Sequence, residues 1–426
     1  MKKNFLKKIL NDDFAINSLK LFSGDALASI IPILVLPVIS RLFHPGAFGE
    51  MQLIVSMITV FSIISTLQYE ISMVIAKRKE SDAILHLALI LLFITTLCFV
   101  LVILIAGKSI LAFFNVGYMA KYIYLVCVGY FAFGLLQLLQ FFLVARKKYN
   151  QYSIYLIYQA IVTQGLNLIT GILSPSYIAL FVNQIVGRAV VIFLIFKKNI
   201  INWDINKKRI FFVARKYKKF PLIETVSVFL NTFAIQLPIF MLSKYFSMQQ
   251  VGYYIMAFLL LNKPLTLITS AMSQVFLKVA SEAYHEGIEQ LFIVYKKTLL
   301  KLLWIIIVPV IIVVVGAPYI IPLLLGSKWI VTGHIMQILI VWKFFEFLNV
   351  PISNSFSIMN LQEISFFLRV FSITLRFFAM YIFSDTLMHM IIALSVSAAI
   401  YYLCYNFLVC VSILVKRRKE RVSFSW

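Results

Sequence analysis

Residues 84–105 read ILHLALILLFITTLCFVLVILI, an apolar run broken only by His86 and three small polar side chains. A helix needs about 20 such residues to cross the hydrocarbon core of a bilayer. A strand of an outer-membrane barrel would instead alternate apolar and polar positions over about 10 residues. The run does not alternate, and residues 302–315 repeat the pattern. The chain is therefore expected to be an all-α polytopic membrane protein. Composition agrees: 62% of its 426 residues are hydrophobic, 13% are charged, and the mean hydropathy is +0.96. These values exclude a soluble enzyme, and equally a disordered chain, which would be poor in aliphatic and aromatic residues.

Working outward from that run, helices are expected at about 17–43, 47–75, 82–107, 117–144, 151–173 and 176–197. After a basic stretch come 220–245, 248–278, 289–316, 329–358, 363–383 and 386–415, giving about twelve transmembrane helices. Only Ser174-Pro175-Ser176 separates the fifth from the sixth, because proline disfavours helix at the residue before it. The first apolar segment runs well past the h-region of a signal peptide and lacks a small-residue cleavage site, so it is expected to remain as a span.

The net charge of +23 would suggest nucleic acid in a soluble protein. In a membrane protein, Lys and Arg collect in cytoplasmic loops, so no nucleic-acid partner is expected. With both termini inside, the clusters at 2–8, 77–79, 146–148, 197–219 and 416–421, with Lys278, Lys296 and Lys297, all fall on the cytoplasmic side. The outer side receives Arg41, Lys108, Lys121, Lys244 and Lys328. That asymmetry supports an even number of spans. The four cysteines lie inside apolar runs and read as core residues.

Ser40-Arg41-Leu42-Phe43 followed by Gly49 matches Ser243-Lys244-Tyr245-Phe246 followed by Gly252, 203 residues on. The spacing points to two six-helix lobes of the same orientation, pseudo-symmetric about a central cavity. They are expected at 1–197 and 220–426, joined by a basic cytoplasmic linker at 198–219. Arg41 and Lys244 read as interfacial anchors.

Charges within spans are costly, about 2.5–3.5 kcal/mol each at a helix centre on insertion scales. Asp25 lies deep in the first span beside Ser23 and Gly24. Glu70 lies toward the inner end of the second, where a salt bridge to Lys77 or Arg78 is the simpler explanation. Glu224 follows Phe220-Pro221, where the helix dipole alone favours a carboxylate. Lys263 lies about 16 Å beyond Gly252 at 1.5 Å per residue, beside Pro264, near the bilayer middle. Lys343 and Glu346, three residues apart, are expected to pair. Arg369 and Arg376 share one helix face, and Arg188 stands alone in its span. Gln159, Thr163 and Asn167 form a polar face that suggests a hydrophilic interior. No Walker A, HExxH, Cys/His cluster or nucleophile elbow appears, so no metal site, cofactor or catalytic residue is expected, and the chain is not expected to be an enzyme.

Arg41-Leu42-Phe43-His44-Pro45, with Phe48-Gly49, is similar to the R-L-[YF]-x-P…F-G signature of polysaccharide flippases. Thr66-Leu67-Gln68-Tyr69-Glu70 resembles their T-L-R-Y-E segment, with Gln68 in place of Arg. The chain thus resembles Wzx-type flippases, such as those of O-antigen and lipopolysaccharide assembly, in the polysaccharide transport branch of the MOP exporter superfamily. The motifs span residues 20–75; length and span number fit over the whole chain. The resemblance implies a multi-pass protein of the bacterial inner membrane that moves an undecaprenyl-diphosphate-linked oligosaccharide to the periplasmic leaflet by alternating access. It would work beside a polysaccharide polymerase or ligase. Lys263, Arg188, Arg369, Arg376 and Asn167 are the candidate substrate contacts. Asp25, Glu70 and Glu224 are candidates for proton or sodium coupling. Two other readings stay open: a cation-coupled multidrug antiporter of the same superfamily, and a membrane-embedded oligosaccharide polymerase or ligase.

Overall fold

The computed structural model describes residues 13–198, 201, 203 and 206–423; the side chains of 13–23, 25, 362 and 419–423 lie outside the described residues. The positions of the two chain ends also lie outside them. The described residues form helices joined by short turns. In lipid every backbone polar group must be satisfied within the chain, and helices achieve this without partners. Among the described residues ten helical segments are long and apolar enough to cross a membrane, and each of the twelve expected spans has a helical counterpart.

In the first half these are α1 (Asp13–Leu42), α2 (Pro45–Ser62) with α3 (Tyr69–Ile75), α4 (Arg78–Phe113), α5 (Ile123–Ala145), α6 (Tyr149–Leu173) and α7 (Tyr177–Lys197). A short helix, α8 (Lys207–Lys216), and a π-helical turn at Phe220–Glu224 follow. The second half holds α9 (Thr225–Tyr245), α10 (Met248–Glu286), α11 (Ile288–Ile311), α12 (Ala317–Leu325), α13 (Ile330–Ile352), α14 (Ser355–Ile358), α15 (Gln362–Ile382) and α16 (Leu387–Ser423). Ser176 ends the break between α6 and α7 as an N-cap, its hydroxyl accepting from the Ala179 amide at 3.2 Å.

The chain forms two compact units, Met1–Gln249 and Gln250–Trp426. This division falls one helix later than the linker at 198–219, because α9 packs on α2, where the Ser56 hydroxyl donates to Gln236 Oε1 at 2.9 Å.

In the first unit α1 lies along α6. A Cβ on Gly24 would fall 2.2 Å from the Ser153 side chain, and one on Gly171 would fall 2.8 Å from Leu42 and Phe43. Residue number rises along both helices together, so they run parallel, as the first and fifth spans of an alternating topology must. The core of this unit gathers Tyr69, Met73, Ile84, Leu138, Phe142, Ile195 and Val213. In the second unit α13 packs against α11, α12 and α16. One cluster forms around Phe276, Ile288, Phe356 and Val409, and a second around Leu302, Ile306 and Phe347. Gly287 takes φ +129° where the chain turns from α10 into α11.

Between α2 and α3 the chain leaves the helix at 63–68, inside the expected second span. Leu67 and Gln68 are both left-handed, at φ 51° and 57°, a conformation that costs non-glycine residues about 1–2 kcal/mol each. Non-helical backbone at this depth is tolerated only where protein covers it. Ser65, Thr66 and Gln68 are all buried. Tight turns pair Ser65 N with Ser62 O and Tyr69 N with Thr66 O, and the Thr95 hydroxyl donates to the Ser65 carbonyl at 2.8 Å.

Candidate functional site: two charge centres

The break in the second span positions Glu70. The side chain is 1% exposed. One carboxylate oxygen is hydrogen-bonded by the Thr66 hydroxyl, and the other accepts from Gln137 Nε2 at 3.0 Å. The salt bridge to Lys77 or Arg78 does not form; among the described residues Glu70 has no cationic partner. It is a buried carboxylate held by two neutral hydrogen-bonding groups. One turn earlier on α5, Phe133 stacks under the Arg188 guanidinium, 3.5 Å from ring centre to Cζ. Arg188 Nη1 donates to the carbonyl and side-chain oxygen of Gln184, both at 2.8 Å. An acid and a base thus attach to successive turns of one α5 face, each without a counter-ion among the described residues.

The second centre lies within the second unit. Lys343 is 2% exposed, and its ammonium donates to Glu346 Oε2 at 2.7 Å and to Asn262 Oδ1 at 2.8 Å. The expected i, i+3 pair is formed, with an amide from α10 added. The rings of Phe258 and Trp342 stand 4.3 and 4.4 Å from the ammonium. Trp342 also faces the Arg376 guanidinium, at 5.1 Å, and Tyr401 and Tyr402 close around it at 5.7 and 6.0 Å. Arg376 is 7% exposed, and its Nε has no hydrogen-bond partner among the described residues. Two cations and one carboxylate share an aromatic enclosure, leaving one net positive charge. A buried donor without an acceptor costs about 1–3 kcal/mol; a ligand with anionic or hydroxyl oxygens would supply the missing acceptor.

The other sequence candidates divide by environment. Lys263 is exposed on α10, next to Asn262, with no side-chain partner among the described residues. Pro264 does not interrupt the helix. Arg369 is exposed although it shares a helix face with buried Arg376. Glu224 is partly exposed at the end of the π-helical turn. The side chain of Asp25 lies outside the described residues. Asn167 is buried, accepts from Asn183 Nδ2 at 2.9 Å and donates to Gln164 at 3.2 Å. The polar face of α6 therefore knits α6 to α7. Close approach at Gly187, where a Cβ would fall 2.0 Å from the Thr163 hydroxyl, completes that contact. Gln137, Asn262, Tyr401 and Tyr402 were not singled out in the sequence. Gln137 had a visible signal, an amide within the apolar run of α5; the two tyrosines had none.

The described fold resembles that of solved transporters of the MOP superfamily. It is similar to a multidrug resistance MATE family transporter in its inward-facing conformation, with a TM-score of 0.67 and 15% identity over 93% of this chain and 95% of that one. The outward-facing conformation gives a TM-score of 0.63 and 15% identity over 96% and 98%. A MOP superfamily transporter from Pyrococcus furiosus Vc1 (DSM3638), described by the reverse polarity of its binding pocket, gives 0.65 and 16% over 96% and 98%. Identities this low carry the fold alone. The family model for polysaccharide biosynthesis proteins matches residues 38–333, more than half of the sequence, and the chain belongs to that family. No curated protein sequence matches it.

Proposed function

We propose that the chain is a flippase of the bacterial inner membrane that carries an undecaprenyl-diphosphate-linked oligosaccharide from the cytoplasmic to the periplasmic leaflet by alternating access. The observation that carries this reading is the Arg376 centre, where a buried guanidinium with an unsatisfied donor sits among Trp342, Tyr401 and Tyr402 with a net positive charge. A diphosphate moving through a low-dielectric region needs fixed positive partners, and aromatic faces suit the apolar sides of sugar rings. Membership in a polysaccharide biosynthesis family supports this substrate class. Lys263, Arg188 and Arg369 are further contacts for the anion, and Asn167 holds the α6–α7 frame around Arg188. The lipid tail stays in the bilayer.

Glu70 is the site of proton coupling in this scheme, because it can gain and lose a proton while Thr66 and Gln137 hold it. Asp25 and Glu224 are secondary candidates, and sodium is the alternative ion. The polymerase or ligase that uses the flipped unit is the expected partner. Both termini and the linker at 198–219 face the cytoplasm on the charge asymmetry, with the six-helix lobes on either side. A multidrug antiporter would call for a carboxylate-dominated cavity, and the balance at Arg376 is the reverse. The Pyrococcus furiosus transporter, whose reversed pocket polarity suggests a different function, is a precedent for such a change within this fold.

The test is leaflet-resolved measurement of lipid-linked intermediates in cells depleted of the protein. They should accumulate on the cytoplasmic leaflet. Accumulation of flipped but unpolymerised units would instead make the chain the polymerase or ligase.

A further inference from the structure

The linker helix α8 has one side fixed to the first unit. Val213 is buried with Tyr69, Met73 and Ile84. The Tyr69 hydroxyl donates to the Ala214 carbonyl at 2.9 Å. The Lys216 ammonium donates to both oxygens of Glu80, at 2.8 and 2.7 Å, and the Tyr217 hydroxyl donates to Glu80 at 2.8 Å. The outward side is of another kind. Lys207, Lys208, Arg209, Arg215, Lys216, Lys218 and Lys219 are all exposed, and among the described residues only Lys216 of these is in an ion pair. Amid them Phe211 is 72% exposed and Phe212 55%. Helical spacing sets Lys207, Lys208 and Arg215 within one turn of Phe211.

The next apolar helix begins at Phe220, and its first residues Leu222, Ile223 and Val226 also expose their side chains. Exposed apolar side chains thus occur both on the linker helix and at the start of the next apolar helix. Water gives no reason to hold two phenyl rings outward, whereas a bilayer interface does: the rings enter the headgroup–acyl boundary and the bases meet phosphate. Glu80 neutralises Lys216, but 206–223 contain no acidic residue, and the other bases have no ion-pair partner among the described residues.

We propose that α8 and residues 217–219 form a binding surface for anionic phospholipid headgroups of the leaflet that the linker faces. Phe211 and Phe212 are its apolar anchors; Lys207, Lys208, Arg209, Arg215, Lys218 and Lys219 bind the headgroups. The surface is independent of what the protein transports.

The test uses the full chain, with its four cysteines replaced by alanine and Phe212→Cys carrying an environment-sensitive fluorophore, reconstituted alone into vesicles. With phosphatidylglycerol present, the emission should be blue-shifted and quenched by lipids carrying a doxyl group near the headgroup. In pure phosphatidylcholine, or on raising the salt of the phosphatidylglycerol vesicles to about 1 M, which cuts the Debye length to about 3 Å, the shift should recede. In detergent, titration with short-chain phosphatidylglycerol should show about fivefold weaker binding for each base removed in the series Lys207→Gln, Lys208→Gln and Arg215→Gln, with Lys→Arg variants retaining it. Where a variant cannot be purified, the salt titration of the parent decides. Water-like emission in every vesicle overturns the proposal. So does a blue shift indifferent to lipid charge and salt, which would leave an apolar contact only. Protection that appears only on adding cytosolic protein would assign the surface to an acidic protein partner instead.

Discussion

The two halves of the molecule begin alike and then diverge. Helix α1 ends at Leu42 and α2 starts at Pro45; 203 residues later α9 ends at Tyr245 and α10 starts at Met248. The corner itself repeats: Phe43 N bonds Ile39 O at 3.0 Å and Phe246 N bonds Leu242 O at 2.9 Å, while Ser40 and Ser243 are both fully buried. Past the corner the copies part. In the first half the helix breaks at 63–68 and delivers Glu70 into a neutral hydrogen-bonded pocket. In the second, α10 runs unbroken through Pro264 and presents Asn262 to Lys343 and an exposed Lys263. At the same offset, Glu70 corresponds to Ser273 and Lys263 to buried Val60. A shared backbone scaffold thus carries an acid in one half and a base in the other.

The contrast within the second unit should yield the largest effects. Lys263→Ala is expected to nearly abolish export of the lipid-linked sugar at unchanged protein level, because it removes charge without removing any described contact. Lys263→Arg should keep part of the activity, since the charge and its affinity for phosphate remain. Arg376→Ala should reduce export by about 100-fold, the scale of truncating a buried charged contact at about 2–5 kcal/mol. Quantifying exported polysaccharide alongside immunodetected protein checks both. Normal export from either variant removes that residue from the substrate path.

The first half should respond through pH dependence. Glu70→Gln keeps the side-chain shape but cannot titrate, so export should fall by about 10²-fold, the lower end of what a proton-transfer group typically contributes, and lose its response to the pH gradient. Transport into vesicles at several imposed gradients would show this; an unaltered gradient response excludes Glu70 from coupling. Lys343→Ala sharpens the comparison from the side of stability. It leaves Glu346 without its cation, a loss of about 3 kcal/mol for a buried pair, and should appear as a lower Tm in detergent. Such a variant is expected to be made poorly, unlike Lys263→Ala. The smallest effect belongs to Lys216→Gln. The hydrogen bond to Glu80 raises the Lys216 pKa above its ordinary value, so the tie is complete at neutral pH and, on the alkaline side, is lost only as pH climbs past that raised value. At neutral pH the variant should change export by less than about twofold, as exposed ion pairs contribute little.

Most of the architecture was legible because hydropathy acts locally: each span is a run of apolar side chains, and Ser174-Pro175-Ser176 marked its own boundary. The break at 63–68 was not, because Ser65-Thr66-Leu67-Gln68 contains neither Gly nor Pro; the turn is imposed by the protein that covers it. The sites were legible only as isolated charges. Helical spacing put Arg369 and Arg376 on one face, yet one is exposed and the other buried, since what covers a face changes along its length. Glu70 was expected to seek a nearby base and instead met Gln137, 67 residues away. The pairing of Lys343 with Glu346 was readable because both lie on one helix; the aromatic rings around Arg376, itself on α15, come from α13 and α16.

The most direct test places the purified protein alone in vesicles loaded with a lipid-linked oligosaccharide and asks how much substrate a glycosidase added outside can reach. Wild-type protein should expose inner-leaflet substrate over time, and Arg376→Ala should leave it at the level of protein-free vesicles. Equal accessibility with wild type, variant and no protein would contradict the account.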